Sequence, residues 1–140
     1  MKPVPNAITD SAPDGNTWFG GPVDRLTMSL RVRATEPDWP EVDKILGCSS
    51  EARRGLWRIE AAARRDGDLD AQLRELLSRV HADSQAWSGV QKRWGVDVLC
   101  GLFLERPNRG MSLSNASLRS LSDRNLTIGF DIYAPDAQQA

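Results

Sequence analysis

Apolar and polar residues alternate in three segments of the chain, at residues 26–34, 55–62 and 126–133. In the first segment the apolar positions are Leu26, Met28, Leu30, Val32 and Ala34. In the other two they are Trp57, Ile59 and Ala61, and then Leu126, Ile128, Phe130 and Ile132. A period of two is typical of a strand with one buried and one solvated face. The pattern therefore predicts three amphipathic strands.

A fourth segment, residues 96–104, is apolar over most of its length rather than at every second position. Strands that are buried on both faces have this near-continuous apolar pattern. We therefore predict that this segment is a central strand of the sheet.

Four further segments carry apolar residues at helical spacing. Their apolar positions are Trp39, Val42, Ile45 and Leu46; Leu69, Leu73, Leu76, Leu77 and Val80; Trp87, Val90 and Trp94; and Leu118 and Leu121. Asp38 and Glu41 have the spacing of a capping box, and Asp68 is placed to cap the second helix. Ser112 or Ser114 can cap the last one. The pattern predicts four helices.

The predicted order is β-α-β-α-(α)-β-α-β, an α+β fold. One mostly antiparallel four-stranded sheet with helices on one face satisfies both kinds of pattern, as a two-layer sandwich. We predict a flexible N-terminal arm at residues 1–25, a single α+β domain at 26–133 and a C-terminal tail at 134–140. Trp18 and Phe19 interrupt the arm, either as a patch that folds back onto the domain or as a hook for a partner.

Composition narrows the classes of partner. The 140 residues are 40% hydrophobic and 26% charged, and their formal net charge is -1. Nucleic acids and anionic membranes attract proteins through a strong positive field, so we expect no nucleic acid and no membrane as a partner. The first residues lack the apolar core of a signal peptide, and no stretch approaches the roughly 20 apolar residues of a membrane span. We expect a cytoplasmic protein.

Histidine and cysteine provide little material for a catalytic or metal site. His81 is the only histidine, and although Asp83 and Ser84 follow it, neighbouring loop residues rarely adopt the geometry of a catalytic triad. A position at the end of the second helix, where His81 meets the helix dipole, is the favoured interpretation. Cys48 and Cys100 are far apart, which disfavours a disulfide scaffold or a zinc site.

The carboxylates also lack a recognisable catalytic or metal-binding spacing. Asp66, Asp68 and Asp70 alternate around Gly67, but the bidentate glutamate of a calcium loop is missing, so a turn followed by a helix cap is favoured. No glycine-rich phosphate loop or dinucleotide motif is present. We expect no catalytic residue, no metal and no cofactor, and predict that the protein is not an enzyme. An enzyme with dispersed carboxylates is the less favoured hypothesis.

The solvated face of the sheet carries the candidate binding residues. They are Arg31, Arg33, Arg58, Asp131 and Tyr133, with Asp97, Leu99 and Phe103 as neighbours. Solvated cross-strand ion pairs would account for many of these charges. Arginine, tyrosine and exposed apolar residues together also have the composition of a protein-binding hot spot. An RNA-binding sheet needs more stacking aromatics and a basic surround.

Several segments together resemble a bacterial family known only as domain of unknown function 4279. They are the strand Thr27-Met28-Ser29-Leu30-Arg31-Val32, the stretch from Val42 to Gly47 with the turn into Gly55, the helix from Leu69 to Leu77, the turn from Asn108 to Gly110, the helix start at Leu113-Ser114 and the closing Phe130-Asp131-Ile132-Tyr133. The resemblance covers residues 26–133. It implies a bacterial α+β domain and no established activity.

These observations favour a non-enzymatic protein-binding domain, of immunity type or regulatory, that uses the open face of its sheet. The partner would be another protein or a second copy of the chain. The alternative is a sensor of a small anion or metabolite that dimerises through the same face and holds its ligand near the arginines.

Overall fold

The computed structural model describes residues 9–11, 17–51 and 55–135. The strands are β1 (Thr9–Ser11), β2 (Thr17–Phe19), β3 (Arg25–Val32), β4 (Trp57–Glu60), β5 (Val96–Phe103) and β6 (Thr127–Tyr133). The helices are α1 (Trp39–Leu46), α2 (Leu69–Ser78), α3 (Ser84–Arg93) and α4 (Asn115–Asp123), and a 3-10 turn at Glu36–Asp38 leads into α1.

The main sheet has four strands in the order β4-β3-β5-β6. β3 is antiparallel to both β4 and β5, whereas β5 and β6 are parallel and are joined through α4. The sheet is therefore mixed, and the predicted α+β class and the order of its elements are confirmed. β5, which the sequence predicts as a central strand, has a neighbour on each side.

The hydrophobic core lies between one face of this sheet and the helices. Its strand residues, all buried, are Leu26, Met28, Leu30, Val32, Trp57, Ile59, Val96, Val98, Cys100 and Leu102. The helices contribute Val42, Leu46, Leu69, Leu73, Leu76, Trp87, Val90 and Leu121. A polar contact also crosses this layer, since buried Gln72 donates from Nε2 to the carbonyl oxygens of Leu26 and Ala62, both at 3.0 Å.

Side-chain caps begin three of the four helices. The carboxylates of Asp68 and Asp83 and the hydroxyl of Ser114 accept hydrogen bonds from backbone N–H groups of α2, α3 and α4. The capping box predicted for α1 is wrong. The Asp38 carboxylate accepts instead from the indole Nε1 of Trp94 at 3.1 Å, and Glu41 pairs with Arg93. Tertiary partners therefore displace the local cap.

The segment predicted as an arm contains two short paired strands, β1 and β2. The side chains of Trp18 and Phe19 lie outside the described part of the structure, so neither prediction for them is tested. The next residues are packed: Val23 is 2% exposed and its backbone N–H donates to the Gly110 carbonyl at 3.0 Å. Gly20 has φ +86° and lies against the Asn108 backbone, where a side chain has no space.

β6 differs from its prediction in burial rather than in pattern. Ile128, Phe130 and Ile132 do lie on the helix side of the sheet, because they pair with buried residues of β5. Phe130 is nevertheless 38% exposed and Ile132 65% exposed. The expectation that β6 has a fully buried face is therefore wrong. Edge position alone does not explain this, because the other edge strand, β4, has Trp57 and Ile59 fully buried on the same side; the helix layer covers β4 but not these residues of β6.

Candidate functional site

The open face is the side of the sheet that points away from the helices. Strand register places its residues in four rows across the sheet. From one end to the other the rows are Arg25, Phe103 and Tyr133; Thr27, Gly101 and Asp131; Glu60, Ser29, Leu99 and Gly129; and Arg58, Arg31, Asp97 and Thr127. One end of the face is thus aromatic and the other is charged, and the rows between them include the small residues Ser29, Gly101 and Gly129.

The charged end is built around Asp97. Its two carboxylate oxygens accept from Nε and Nη2 of Arg31 at 2.9 and 2.8 Å, and one also accepts from Arg33 at 3.4 Å. The hydrogen bonds that Arg31 donates to Asp97 raise the pKa of Arg31 above its usual value. Arg58 lies directly opposite Arg31 in the register and pairs with Glu60 at 2.6 Å. Each of these like charges therefore has its own carboxylate.

The aromatic end consists of a stacked pair with a cation above it. The rings of Phe103 and Tyr133 are nearly parallel, with an interplanar angle of 7° and centroids 4.5 Å apart. The Arg25 guanidinium lies 4.9 Å from the Phe103 centroid, within the range of a cation–π interaction. Tyr133 is nonetheless half exposed, so its ring still presents surface to solvent.

A groove of about 280 Å³ lies between the two ends. Thr27, Ser29, Leu99 and Gly101 form its floor, and its sides include Arg25, Arg58, Glu60, Asp131 and Tyr133. Gly101 keeps the floor low, because a side chain there would collide with the Thr27 hydroxyl and approach the Phe103 ring to 3.2 Å. The groove therefore depends on a glycine in the middle of β5.

The structure brings together three of the five predicted site residues, since Arg58, Asp131 and Tyr133 all line the groove. Arg31 and Arg33 lie on the same face but at its charged end, where both hydrogen-bond to Asp97. The sequence prediction missed Arg25, Glu60 and Gly101. The alternation that placed Thr27 and Arg31 on the open face would also have placed Arg25 there, whereas nothing in the local pattern marks Gly101.

Outside this face, His81 does not occupy the predicted position. α2 ends at Ser78, and His81 lies beyond it, exposed, with its backbone N–H donating to the Leu46 carbonyl at 2.9 Å. The prediction that His81 meets the dipole at the end of α2 is therefore wrong. Asp66 accepts from the backbone N–H of Asp68 and from Arg64, and Asp68 caps α2, which confirms the turn and the cap.

Neither cysteine has the lowered thiol pKa that is typical of a nucleophile. Cys100 is fully buried among apolar residues, and burial raises the pKa of its thiol to about 12. Burial also raises the pKa of Cys48. Within residues 9–11, 17–51 and 55–135, no group of three or more His, Cys, Asp or Glu residues is arranged to hold a metal ion, and no helix is long and apolar enough to cross a membrane.

Fold and open face together define a two-layer α+β domain with a groove across its exposed sheet surface. The chain belongs to the family described as Domain of unknown function (DUF4279), whose profile matches residues 22–135. The match confirms the resemblance drawn from the sequence and extends it at both ends, to Pro22 and Pro135. No curated protein and no solved structure matches the chain.

Proposed function

We propose that this chain is a non-enzymatic protein-binding domain, of immunity type or regulatory, whose open face receives a segment of a partner protein. The groove is the observation that carries the proposal. It is a depression of about 280 Å³ on the open face. A space of this size suits one inserted side chain with its neighbours resting on the surrounding face.

The chemistry around the groove also suits a protein surface. Tyrosine and arginine are the residue types enriched among binding hot spots, and Tyr133, Arg25 and Arg58 all line the groove. The stacked Phe103 holds Tyr133 in place, which lowers the entropy lost when a partner packs on its ring. The groove thus combines a rigid aromatic anchor with polar groups beside it.

Charge on the open face favours a protein over a nucleic acid. Its four arginines, Arg25, Arg31, Arg33 and Arg58, are offset by Glu60, Asp97 and Asp131. A phosphate backbone is held by an excess of basic groups, and this face has little excess. A protein partner with groups of both signs fits it better. We propose the bacterial cytoplasm as the place where the two meet.

The experiment is affinity capture from a bacterial lysate, followed by titration of the purified captured protein against variants of this chain. Arg33→Ala and Tyr133→Ala together should lower the affinity by at least a hundredfold, about 2.7 kcal/mol. Arg119→Ala and Lys92→Ala are the matched controls, since both residues are exposed on helices, Arg119 on α4 and Lys92 on α3. Both controls should bind as the unchanged protein does.

The proposal is wrong if the double variant binds the captured protein with unchanged affinity, while circular dichroism shows that the unchanged chain and the double variant are both folded. Loss of binding in the Arg119→Ala control would equally move the interface away from the open face.

A small-anion sensor is the second candidate, favoured by one observation: the guanidinium-bearing residues Arg25 and Arg58 both line the groove. A bound anion stabilises the folded state by about 2.7 kcal/mol when its concentration is a hundred times its dissociation constant. Thermal denaturation with inorganic phosphate and with small dicarboxylates would show this as a raised midpoint that Arg58→Gln removes. A midpoint that no anion raises counts against it.

A further inference from the structure

The outer edge of β6 is the least protected surface of the sheet. In the part of the chain that the structure describes, β6 pairs with β5 on one side and with no strand on the other. Natural edge strands are usually blunted by charged side chains, proline, a bulge or shortness. β6 has seven residues in continuous register with β5 and no proline, and its one charged residue, Asp131, lies on the open face rather than on the apolar side.

The backbone of β6 presents its hydrogen-bonding groups outward at three residues. The Tyr133 carbonyl accepts from the Leu104 N–H at 3.0 Å, so Tyr133 directs its backbone toward the β5 side. Because successive residues of a strand alternate in this direction, Ile128, Phe130 and Ile132 direct their N–H and C=O groups toward the free edge. These residues also place their side chains on the helix side.

The strand is self-complementary about Phe130. If two copies pair antiparallel with Phe130 opposite itself, Ile128 lies opposite Ile132, Gly129 opposite Asp131, and Thr127 opposite Tyr133. No like charges meet, and the apolar side becomes one continuous row. Phe130 would then form a hydrogen-bonded pair with its own copy, as would the two isoleucine pairs on either side.

A groove on each copy is placed to receive the most exposed apolar side chain of the other. This second groove, about 330 Å³, lies between α4 and the first half of β6, and Leu118, Leu121, Leu126 and Ile128 are among its lining residues. The pairing above puts Ile132 of the second copy directly opposite Ile128, beside this groove. Leu118 is 49% exposed and Ile132 65% exposed in the single chain, so each would cover the other.

We propose that β6 is a homodimer interface, in which two copies of this chain join edge to edge through antiparallel β6 strands centred on Phe130. The contact is isologous, as in most symmetric dimers. The two sheets then form one eight-stranded sheet with both helix layers on one side. Both open-face grooves stay free on the other side, so this inference does not depend on the proposed function.

The first test is site-directed cross-linking in a Cys48→Ser background, which leaves only buried Cys100 as a native thiol. Phe130→Cys should form a disulfide-linked dimer on mild oxidation, because opposed residues in a hydrogen-bonded pair lie about 5.5 Å apart at Cα. Ile132→Cys is the matched control. In this register its own copy is roughly 13 Å away along the strand, too far for a disulfide.

The second test is sedimentation equilibrium across a range of concentrations. The unchanged chain and Ile132→Val should both dimerise, whereas Ile132→Lys should remain a monomer because it places a charge opposite Ile128. If the unchanged chain is still a monomer at about 100 μM, which means a dissociation constant weaker than that, the proposal is overturned. Equal cross-linking of the two cysteine variants, or a dimer that survives Ile132→Lys, would also overturn it.

Discussion

The two edge strands of the sheet, β4 and β6, share the same alternating pattern but differ in how far their apolar side chains are buried. On β4 the apolar residues Trp57 and Ile59 are completely buried, and the intervening Arg58 and Glu60 pair with each other. On β6 the apolar Phe130 and Ile132 are 38% and 65% exposed. β4 has four residues and ends at the charged Glu60, while β6 has seven residues and carries Asp131 as its one charged residue.

The difference shows that alternation specifies which way a side chain points, not whether anything covers it. Trp57 lies under the helix layer, and its indole Nε1 donates to the Asp43 carboxylate of α1 at 2.6 Å. Phe130 and Ile132 point to the same side of the sheet but lie where that layer ends. Within residues 9–11, 17–51 and 55–135, the helix layer therefore covers the apolar side of the edge strand β4 and leaves Phe130 and Ile132 of the edge strand β6 exposed.

The largest expected effect is on β4. Trp57→Ala should lower the free energy of unfolding by about 3–5 kcal/mol, because it removes a completely buried aromatic ring and leaves a cavity. Urea denaturation followed by far-UV circular dichroism measures the change. Trp57→Phe keeps most of the volume but loses the bond to Asp43, so its loss should be smaller, about 1–3 kcal/mol. A Trp57→Ala cost below 1 kcal/mol would contradict the burial of β4.

The next largest effect is expected at Asp97 on β5, whose carboxylate should stabilise the fold by offsetting the repulsion between the facing residues Arg31 and Arg58. Asp97→Asn should cost about 1–2 kcal/mol, since Arg31 then lies opposite Arg58 without its carboxylate. Arg58→Thr in the same chain should recover about 0.5–1 kcal/mol of that loss, because it removes the facing like charge. A double-mutant cycle from urea denaturation measures this coupling. Strictly additive effects of the two changes would show that Arg58 and Arg31 do not interact.

Acid should lower the free energy of unfolding by protonating Asp24, which accepts hydrogen bonds near the C-terminal end of β5. Burial alone would raise the pKa of Asp24, but hydrogen bonds from the Glu105 backbone and the Arg109 guanidinium outweigh it and hold the pKa below 3.8. A lowered pKa in the folded state gives stability that is present above pH 3.8 and is lost as the pH falls through the folded value.

The free energy of unfolding should therefore fall less steeply in Asp24→Asn than in the unchanged protein between about pH 5 and pH 2.5. Asp66, whose pKa is also lowered, is present in both proteins and serves as the internal reference. Parallel pH profiles of the two proteins would show that the hydrogen bonds of Asp24 contribute nothing to the pH dependence of stability.

The smallest effect is expected at the tip of β6. Ile132→Ala should change the unfolding free energy of the single chain by no more than about 0.5 kcal/mol, because its side chain is mostly in solvent. The measurement has to be made at a dilution where the chain is monomeric, so that loss of pairing does not add to it. A loss above 2 kcal/mol would mean that Ile132 is covered within one chain.

Most elements of the domain could be predicted because their signals are local. The β3 alternation, the caps of α2 and α4 and the apolar run of β5 each depend on residues near one another in sequence. The prediction failed where a distant partner competes with a local one. Asp38, which has capping-box spacing with Glu41, instead accepts from Trp94, 56 residues away.

For the candidate site, the sequence could identify side chains on the open face but not the groove. Arg58, Asp131 and Tyr133 follow from strand alternation alone. The depression itself requires Gly101 to lie beside Thr27, a residue 74 positions earlier in the chain, and requires Phe103 to stack on Tyr133. No local pattern contains those distances, so the shape of the site follows only from strand pairing.

The sequence by itself determined the class of fold, the order of its elements and the face on which each strand residue lies, because backbone geometry imposes periods of 2 and 3.6 on any strand or helix. Only the tertiary structure decided that β4 and β6 are the edges, that β6 runs parallel to β5, and that Phe130 and Ile132 stay exposed. Burial depends on what lies across from a residue, and that neighbour comes from a distant part of the chain.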